Sequence, residues 1–227
     1  TKKGKGDWEA ESDPEKYHGV APVGNKKIKS LTNIFGEHLV ELAIKHEKIT
    51  GITAAMCTGT GLNLFRERIP ERFFDVSIAE QHGLTFAAGQ AMGGYHPFIS
   101  IYATFMQRGV DQVIHDIAMQ NLPVTMILDR AGLVGEDGET HHGVFDYSYL
   151  RHIPNLVIMA PTDENELRHM LYTAVQMNSP VVIRYPRGSG LGIPTDDPFE
   201  QLRIGVAQKL KNGTDVVFYV AGAMVEP

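Results

Sequence analysis

From Ser30 onward the chain alternates between helical and strand-like patterning. Ser30 is a suitable helix N-cap, and Leu31, Ile34, Phe35, Leu39, Leu42 and Ala43 recur at helical spacing behind it. Short apolar runs follow at Ile49–Ala54, Arg72–Ile78, Pro97–Tyr102, Pro123–Leu128, Leu156–Met159 and Pro180–Tyr185. Helical stretches at Glu80–Met92, Thr104–Gln120 and Glu164–Met177 separate several of them. Strands spaced about 25 residues apart, with helices between, predict right-handed crossovers and a parallel sheet. Pro97, Pro123 and Pro180 stand at strand starts, where a missing N–H costs little. The expected fold is α/β: a six-stranded parallel sheet with helices on both faces.

The flanks differ. Residues 1–29 are polar, rich in Gly and Lys, and read as a linker. Asp197–Val206 reads as a second linker, and Asp215–Val220 as a strand opening a further domain. The expected division is therefore 1–29, 30–196 and 197–227. The helix from Glu80 carries a small-residue face, Gly83, Ala87 and Ala91, predicting a close packing partner and suggesting a symmetric contact between chains.

Composition narrows the function classes. With 43% apolar residues in 227, the chain can bury a substantial core. A net charge of -6 argues against a general nucleic-acid binder. The single cysteine, Cys57, excludes an intrachain disulfide and fits a reducing compartment. No apolar run reaches the roughly 20 residues that span a bilayer. A cytoplasmic protein with no membrane partner is expected.

Ligands of open parallel sheets bind beyond the carboxyl ends of the strands. The residues following the predicted strands include Glu80, Tyr102, Phe105, Arg108, Asp129, Arg130, Arg184 and Arg187. Glu80 opens a helix, where burial favours its neutral form and the helix dipole its charged form. Most helix-start acids only complement the dipole, so the residue alone decides nothing. Arg130 and Arg187 could clamp a phosphate, because guanidinium forks match its oxygens; a lone arginine more often makes a salt bridge. The loop Ala131–Phe145 is long for a compact domain, which favours a functional role, and its His141 could move a proton. The neighbours His141 and His142 lack the spacing of a metal site, so no metal ligand is assigned. Thr58–Gly61 is glycine-rich but too generic for a phosphate cradle, and there is no Walker loop, dinucleotide fingerprint or nucleophile elbow.

Several longer motifs agree in order with one family. Phe74–Gly89, reading FDVSIAEQHGLTFAAG, Tyr102–Gln112, Asp129–His141 and Arg184–Gly188 resemble the 1-deoxy-D-xylulose-5-phosphate synthases, transketolase-like thiamine enzymes. Asp13–His18 is similar to that family's linker out of its first domain. The resemblance implies a pyrimidine-binding domain, with thiamine diphosphate and Mg²⁺ as cofactors. It implies that Glu80 hydrogen-bonds the aminopyrimidine N1′ and that Phe105 packs on that ring. Arg130 and Arg187 would hold the acceptor phosphate, while Tyr102, Arg108, Asp137 and His141 line the acceptor site, His141 with a catalytic part. Substrates would be pyruvate and D-glyceraldehyde 3-phosphate, the product a precursor of isoprenoids and thiamine, and the assembly a homodimer. The family's Mg²⁺- and diphosphate-binding element is not in this sequence, so the chain alone is expected to be inactive. Two other readings stay open: the pyrimidine-binding half of a two-chain transketolase or 2-oxoacid dehydrogenase, and a non-catalytic α/β module.

Overall fold

A computed structural model describes residues 4–14, 17 and 28–225. Much of the expected linker 1–29 lies outside the described residues, as do Glu15, Lys16 and His18 of the linker motif. The described part includes a short helix α1 (Trp8–Ser12), capped by the Asp7 carboxylate, which buries no side chain.

Helix α2 (Leu31–Lys45) begins where Ser30 Oγ accepts the Asn33 N–H. Its periodic apolar residues, Leu31, Ile34, Phe35, Leu39, Leu42 and Ala43, are all buried. Six strands follow in chain order: β1 (Ile49–Thr53), β2 (Phe73–Asp75), β3 (His96–Tyr102), β4 (Thr125–Asp129), β5 (Val157–Met159) and β6 (Val181–Arg184). They form one parallel sheet in the order β2-β1-β3-β4-β6-β5. The remaining α-helices are α3 (Asn63–Arg68), α4 (Glu80–Met92), α5 (Ala103–Met106), α6 (Val110–Gln112), α7 (Asp146–Leu150) and α8 (Glu164–Gln176).

Strand side chains alternate between the two faces, and the core divides accordingly. On one side Ile127, Val181 and Ile183 pack with Phe35, Leu39, Leu42, Leu167 and Leu171 from α2 and α8. On the other, Met126, Leu128 and Val182 pack with Leu84, Ala87, Val113 and Ile117. Strands covered on both faces read as continuous apolar runs, which is why periodicity located them without assigning their sides.

Three expectations change. The stretch Thr104–Gln120 is not one helix. It runs through α5, a 3₁₀ turn at Gln107–Gly109, α6 and a π turn at Val113–Ala118. The break falls at Gly109, which is drawn so close to α4 that an added Cβ would stand 2.1 Å from Leu84 Cδ1. The small face of α4 meets this chain's own sheet. A Cβ on Gly83 would lie 3.1 Å from Ile99 Cδ1 of β3 and 3.2 Å from Val76 Cγ2. Ala87 and Ala91 are buried in the same cluster, so that face is not available for a symmetric contact. Finally, no strand forms at Asp215–Val220. Phe218 and Tyr219 are 83% and 91% exposed, and among the described residues no neighbouring strand supplies the ladder that a strand needs.

Candidate active site

The strand order reverses direction beside β1: the chain leaves it for β2 on one side, while β3 lies on the other. The carboxyl ends of β1, β3 and β4 therefore border a crevice of the kind that receives ligands in open α/β sheets. The β3–β4 register sets Tyr102 beside Asp129. Asp129 is fully buried and accepts a hydrogen bond of 2.7 Å from Thr32 Oγ1 on α2. Loss of hydration pushes its pKa up to about 6, against the pull of the adjoining Arg130 cation.

Arg130 follows β4 in the left-handed region, with φ 63°, an uncommon conformation for a residue bearing a Cβ. That backbone turn brings its guanidinium back across the sheet edge. Nη1 donates to Gly59 O (2.7 Å) and to Asp129 Oδ1 (2.8 Å), and Nε to Asp137 Oδ2 (3.3 Å). Its plane stands 3.9 Å from the centre of the Tyr102 ring. Burial pushes the Tyr102 phenol up to about 12, partly offset by the Arg130 charge, so this ring is neutral at pH 7. Gly59 has no room for a side chain, because a Cβ there would meet the Tyr102 hydroxyl at 2.0 Å.

The loop Ala131–Phe145 is ordered from within. Gly132 and Gly143 exchange both backbone hydrogen bonds, and the Val134 N–H donates to His142 Nδ1 at 3.1 Å. His142 is thus a loop anchor. Thr104 Oγ1 ties the loop to α5 by donating to Thr140 O. The result is that Asp137 sits between two cations, with its other oxygen 2.9 Å from Arg187 Nη1. His141 lies against Phe105 and Tyr102, with ring centres 5.5 and 6.3 Å apart.

Glu80 is the first residue of α4 and is 3% exposed. Arg108 Nη1 donates to its Oε1 at 3.1 Å, and the Arg108 guanidinium lies 5.3 Å from the Phe105 ring centre. Phe105 in turn stacks on Tyr102, 5.8 Å between centres. One run of contacts thus links Glu80, Arg108, Phe105, Tyr102, Arg130, Asp137 and Arg187, with His141 on its aromatic segment. These eight residues stand together at one edge of the sheet. Arg108 is found against the acid Glu80 rather than beside the two arginines.

Arg184 turns elsewhere, pairing with Asp146 of α7 and covering the Tyr147 ring. Thr32 and the Gly59 carbonyl were not anticipated as parts of the site. The end of β1 obeys the same rule as the ends of β3 and β4, so Gly59 could have been found by reading one more strand. Nothing in the local sequence marks Thr32. Among the described residues no group of three or more His, Cys, Asp and Glu side chains is clustered as a metal site.

Comparison with known proteins shows the family. The family described as "Transketolase, pyrimidine binding domain" matches residues 28–190. This chain belongs to the transketolase pyrimidine-binding domain family. Its relatives include proteins described as 1-deoxy-D-xylulose-5-phosphate synthase from Halothermothrix orenii and 1-deoxy-D-xylulose-5-phosphate synthase 1 from Geobacter sulfurreducens. Each is 54% identical over the whole of this chain. The chain spans 37% of the length of those relatives. Among solved structures it is similar to a "Split gene transketolase, inactive beta4 tetramer", with a TM-score of 0.64 and 31% identity. That match covers 75% of this chain and 56% of the other. A transketolase from Campylobacter jejuni has the same fold at a TM-score of 0.65 and 22% identity, over 78% of this chain and 28% of its own.

A pyrimidine-binding domain needs a partner for ring nitrogens and a surface for a flat ring. Glu80 offers a desolvated carboxylate at a helix N-terminus, where developing positive charge on a ligand would be countered and the anion supported by the dipole. Phe105, half-buried and linked to Glu80 through Arg108, offers the ring surface. These residues fit a pyrimidine. No helix among the described residues is long and apolar enough to cross a membrane.

Proposed function

We propose that this chain is the pyrimidine-binding portion of a thiamine-diphosphate-dependent 1-deoxy-D-xylulose-5-phosphate synthase. That enzyme joins pyruvate, with loss of carbon dioxide, to D-glyceraldehyde 3-phosphate. The observation that carries the reading is the unbroken run of contacts from the buried acid Glu80 to the paired cations Arg130 and Arg187. The identity to synthases along the whole chain supports it.

Bound thiamine diphosphate supplies the electron-withdrawing centre that makes decarboxylation of a 2-oxo acid feasible. The residues of this chain do the rest of the positioning at this edge. Glu80 hydrogen-bonds the ring nitrogen N1′ and holds a proton there, and Phe105 covers the pyrimidine face. Arg130 and Arg187 grip the acceptor phosphate through paired N–H donors. Asp137 keeps the two cations together in the absence of that phosphate. His141 moves a proton at the acceptor oxygen, and Tyr102 and Arg108 line the acceptor path. The diphosphate and Mg²⁺ are held by residues outside this chain. In this reading residues 1–29 lead from the diphosphate-binding domain, 30–196 form the pyrimidine-binding domain, and 197–227 begin a third. The working enzyme is a cytoplasmic homodimer feeding isoprenoid and thiamine synthesis.

The test is a full-length protein assayed with pyruvate and glyceraldehyde 3-phosphate. Glu80→Gln should lose nearly all turnover while still folding; near-parental turnover would remove Glu80 from its role. Arg187→Ala should raise KM for the phosphorylated acceptor and leave pyruvate little affected. A second reading, the pyrimidine-binding half of a two-chain transketolase, is favoured by the likeness to a split-gene transketolase. A ketose phosphate serving as donor in place of pyruvate would select it.

A further inference from the structure

The carboxyl ends of β1 and β2 are joined by an interaction outside the run of contacts described above. The two strands pair in register, Thr53 opposite Asp75, and the Val76 N–H still donates to Thr53 O at 3.0 Å. Immediately beyond, both chains enter the left-handed region at residues bearing a Cβ: Ala55 and Ser77 each have φ 59°. L-residues rarely hold that conformation, and such residues persist only where neighbours over-determine them. Here one atom does so. Asp75 Oδ1 accepts the N–H of Ala55 at 2.8 Å and the N–H of Ser77 at 2.9 Å.

Each of these two turns delivers part of the site. After Ser77, its carbonyl accepts the Ala79 N–H (2.8 Å), Ala79 O accepts the Gly83 N–H (2.9 Å), and α4 starts with Glu80. Glu80 is thus three residues from a strained, pinned amide, and α4 has no side-chain N-cap of its own to fix where it begins. After Ala55, Met56 O accepts both the N–H and Oγ1 of Thr60, closing the turn that presents Gly59. Gly59 O receives Arg130 Nη1, and its Cα faces the Tyr102 hydroxyl. The acid at one end of the site and the arginine seat at the other therefore hang from two loops tied to a single carboxylate oxygen.

We propose that Asp75 is a positioning residue that holds the Glu80 turn and the Gly59 turn in fixed relation. The inference rests on the reading of Glu80 and Arg130 given above. It requires the oxygen of Asp75 as an acceptor for two amides. It does not require its charge, and it requires no contact with substrate.

The experiment uses the full-length protein. Asp75→Ala, Asp75→Asn and Asp75→Ala combined with Ala55→Gly and Ser77→Gly are compared with the parent and with Glu80→Gln. The measurements are kcat, KM for both substrates, affinity for added thiamine diphosphate, and amide hydrogen exchange at residues 55 and 77. Misplacement of reacting groups by about 1 Å costs on the order of 100-fold, so Asp75→Ala should lower kcat by about that factor. It should weaken the cofactor about 10-fold, and exchange at both amides should quicken together. Asp75→Asn keeps an acceptor oxygen and should recover most of the activity. Glycine takes positive φ without a Cβ penalty, so the two glycine substitutions should restore about 10-fold of the loss. This last rescue is one that a general loss of stability would not show.

If Asp75→Ala left exchange at both amides slow, or left kcat and cofactor affinity within about twofold while Glu80→Gln was inactive, the proposal would be overturned. Equal damage from Asp75→Asn and Asp75→Ala would overturn it too, by making charge the requirement. An active Glu80→Gln would sink the role of Glu80 instead, and the exchange result would still decide the role of Asp75. If Asp75→Ala failed to fold, the glycine-containing variant and Asp75→Asn decide: both folding and working supports the proposal, neither doing so overturns it.

Discussion

Replacing Asp129 by Asn should change the pH dependence of folding in a defined window. The side chain is fully buried at the end of β4, with Thr32 Oγ1 on one oxygen and Arg130 Nη1 on the other. Burial raises its folded pKa from an ordinary 3.8 to about 6, with the Arg130 charge opposing. Because the folded value is the higher one, the folded state binds the proton more tightly. The associated stability is fully present below the unfolded pKa and is lost as pH rises through about 6. Two pH units at about 1.4 kcal/mol each give a change of about 3 kcal/mol across the window. Asn has nearly the same shape, still accepts from Thr32, and does not titrate. Urea unfolding followed by far-UV circular dichroism, run at steps from pH 3.5 to 7.5 on parent and variant, reads the difference directly. The stability of Asp129→Asn relative to parent should climb by about 3 kcal/mol as pH rises through the window, other carboxylates cancelling in the comparison. A difference that stayed flat, or that fell with pH, would show that Arg130 fully compensates the buried charge and would refute the reasoning.

Gly36→Ala should destabilise at or beyond the upper end of the roughly 1–3 kcal/mol typical of overpacking, since its Cβ would stand 2.1 Å from the backbone oxygen of Gly61. Thermal melting checks this, and an unchanged melting temperature would mean that the turn carrying Gly59 yields easily. Phe98→Ala should cost about 3–5 kcal/mol, because the ring is wholly buried at the centre of β3. His96 is held down to about 4 by burial while Thr125 occupies its Nε2. The unfolded chain therefore binds the proton more readily, and stability should fall as pH drops from about 6.5 toward 4. His96→Gln should flatten that fall by up to about 3 kcal/mol in the same unfolding assay.

Much of the fold was legible because its strands are covered on both faces and its prolines and glycines punctuate them. The six apolar runs correspond to β1–β6, and the Ser30 cap, the start of α4 at Glu80 and the start of α8 at Glu164 lie where patterning put them. The break in Thr104–Gln120 was not legible, because it depends on how closely Gly109 approaches Leu84 on another helix. The small face of α4 was visible, yet its partner was not: a row of Gly and Ala fits a sheet of the same chain as well as a second copy. Asp215–Val220 has strand-like composition, but a strand is a property of a pair.

For the site, reading the residues that follow strands singled out Glu80, Tyr102, Phe105, Arg108, Arg130 and Arg187, loop length pointed to His141, and only the family resemblance pointed to Asp137. Their identities and their edge of the sheet follow from sequence, because parallel crossovers return every strand in the same direction. Which of them touch does not. Arg130 reaches Gly59, Asp129 and Asp137 at once from a backbone at φ 63°, and Arg108 meets Glu80 across 28 residues of chain. Asp75 lay in the middle of the apolar run Arg72–Ile78, with no local signal to mark it. Its role appeared only when Ala55, 20 residues away, was found sharing the same carboxylate oxygen with Ser77. Sequence by itself determined the alternation of elements and the chemical inventory of the crevice, since both are set by local pattern and chain direction. Tertiary structure alone decided the pairing of charges and the pinning of the two turns, since those depend on strand order and on backbone angles that no local signal in this chain specifies.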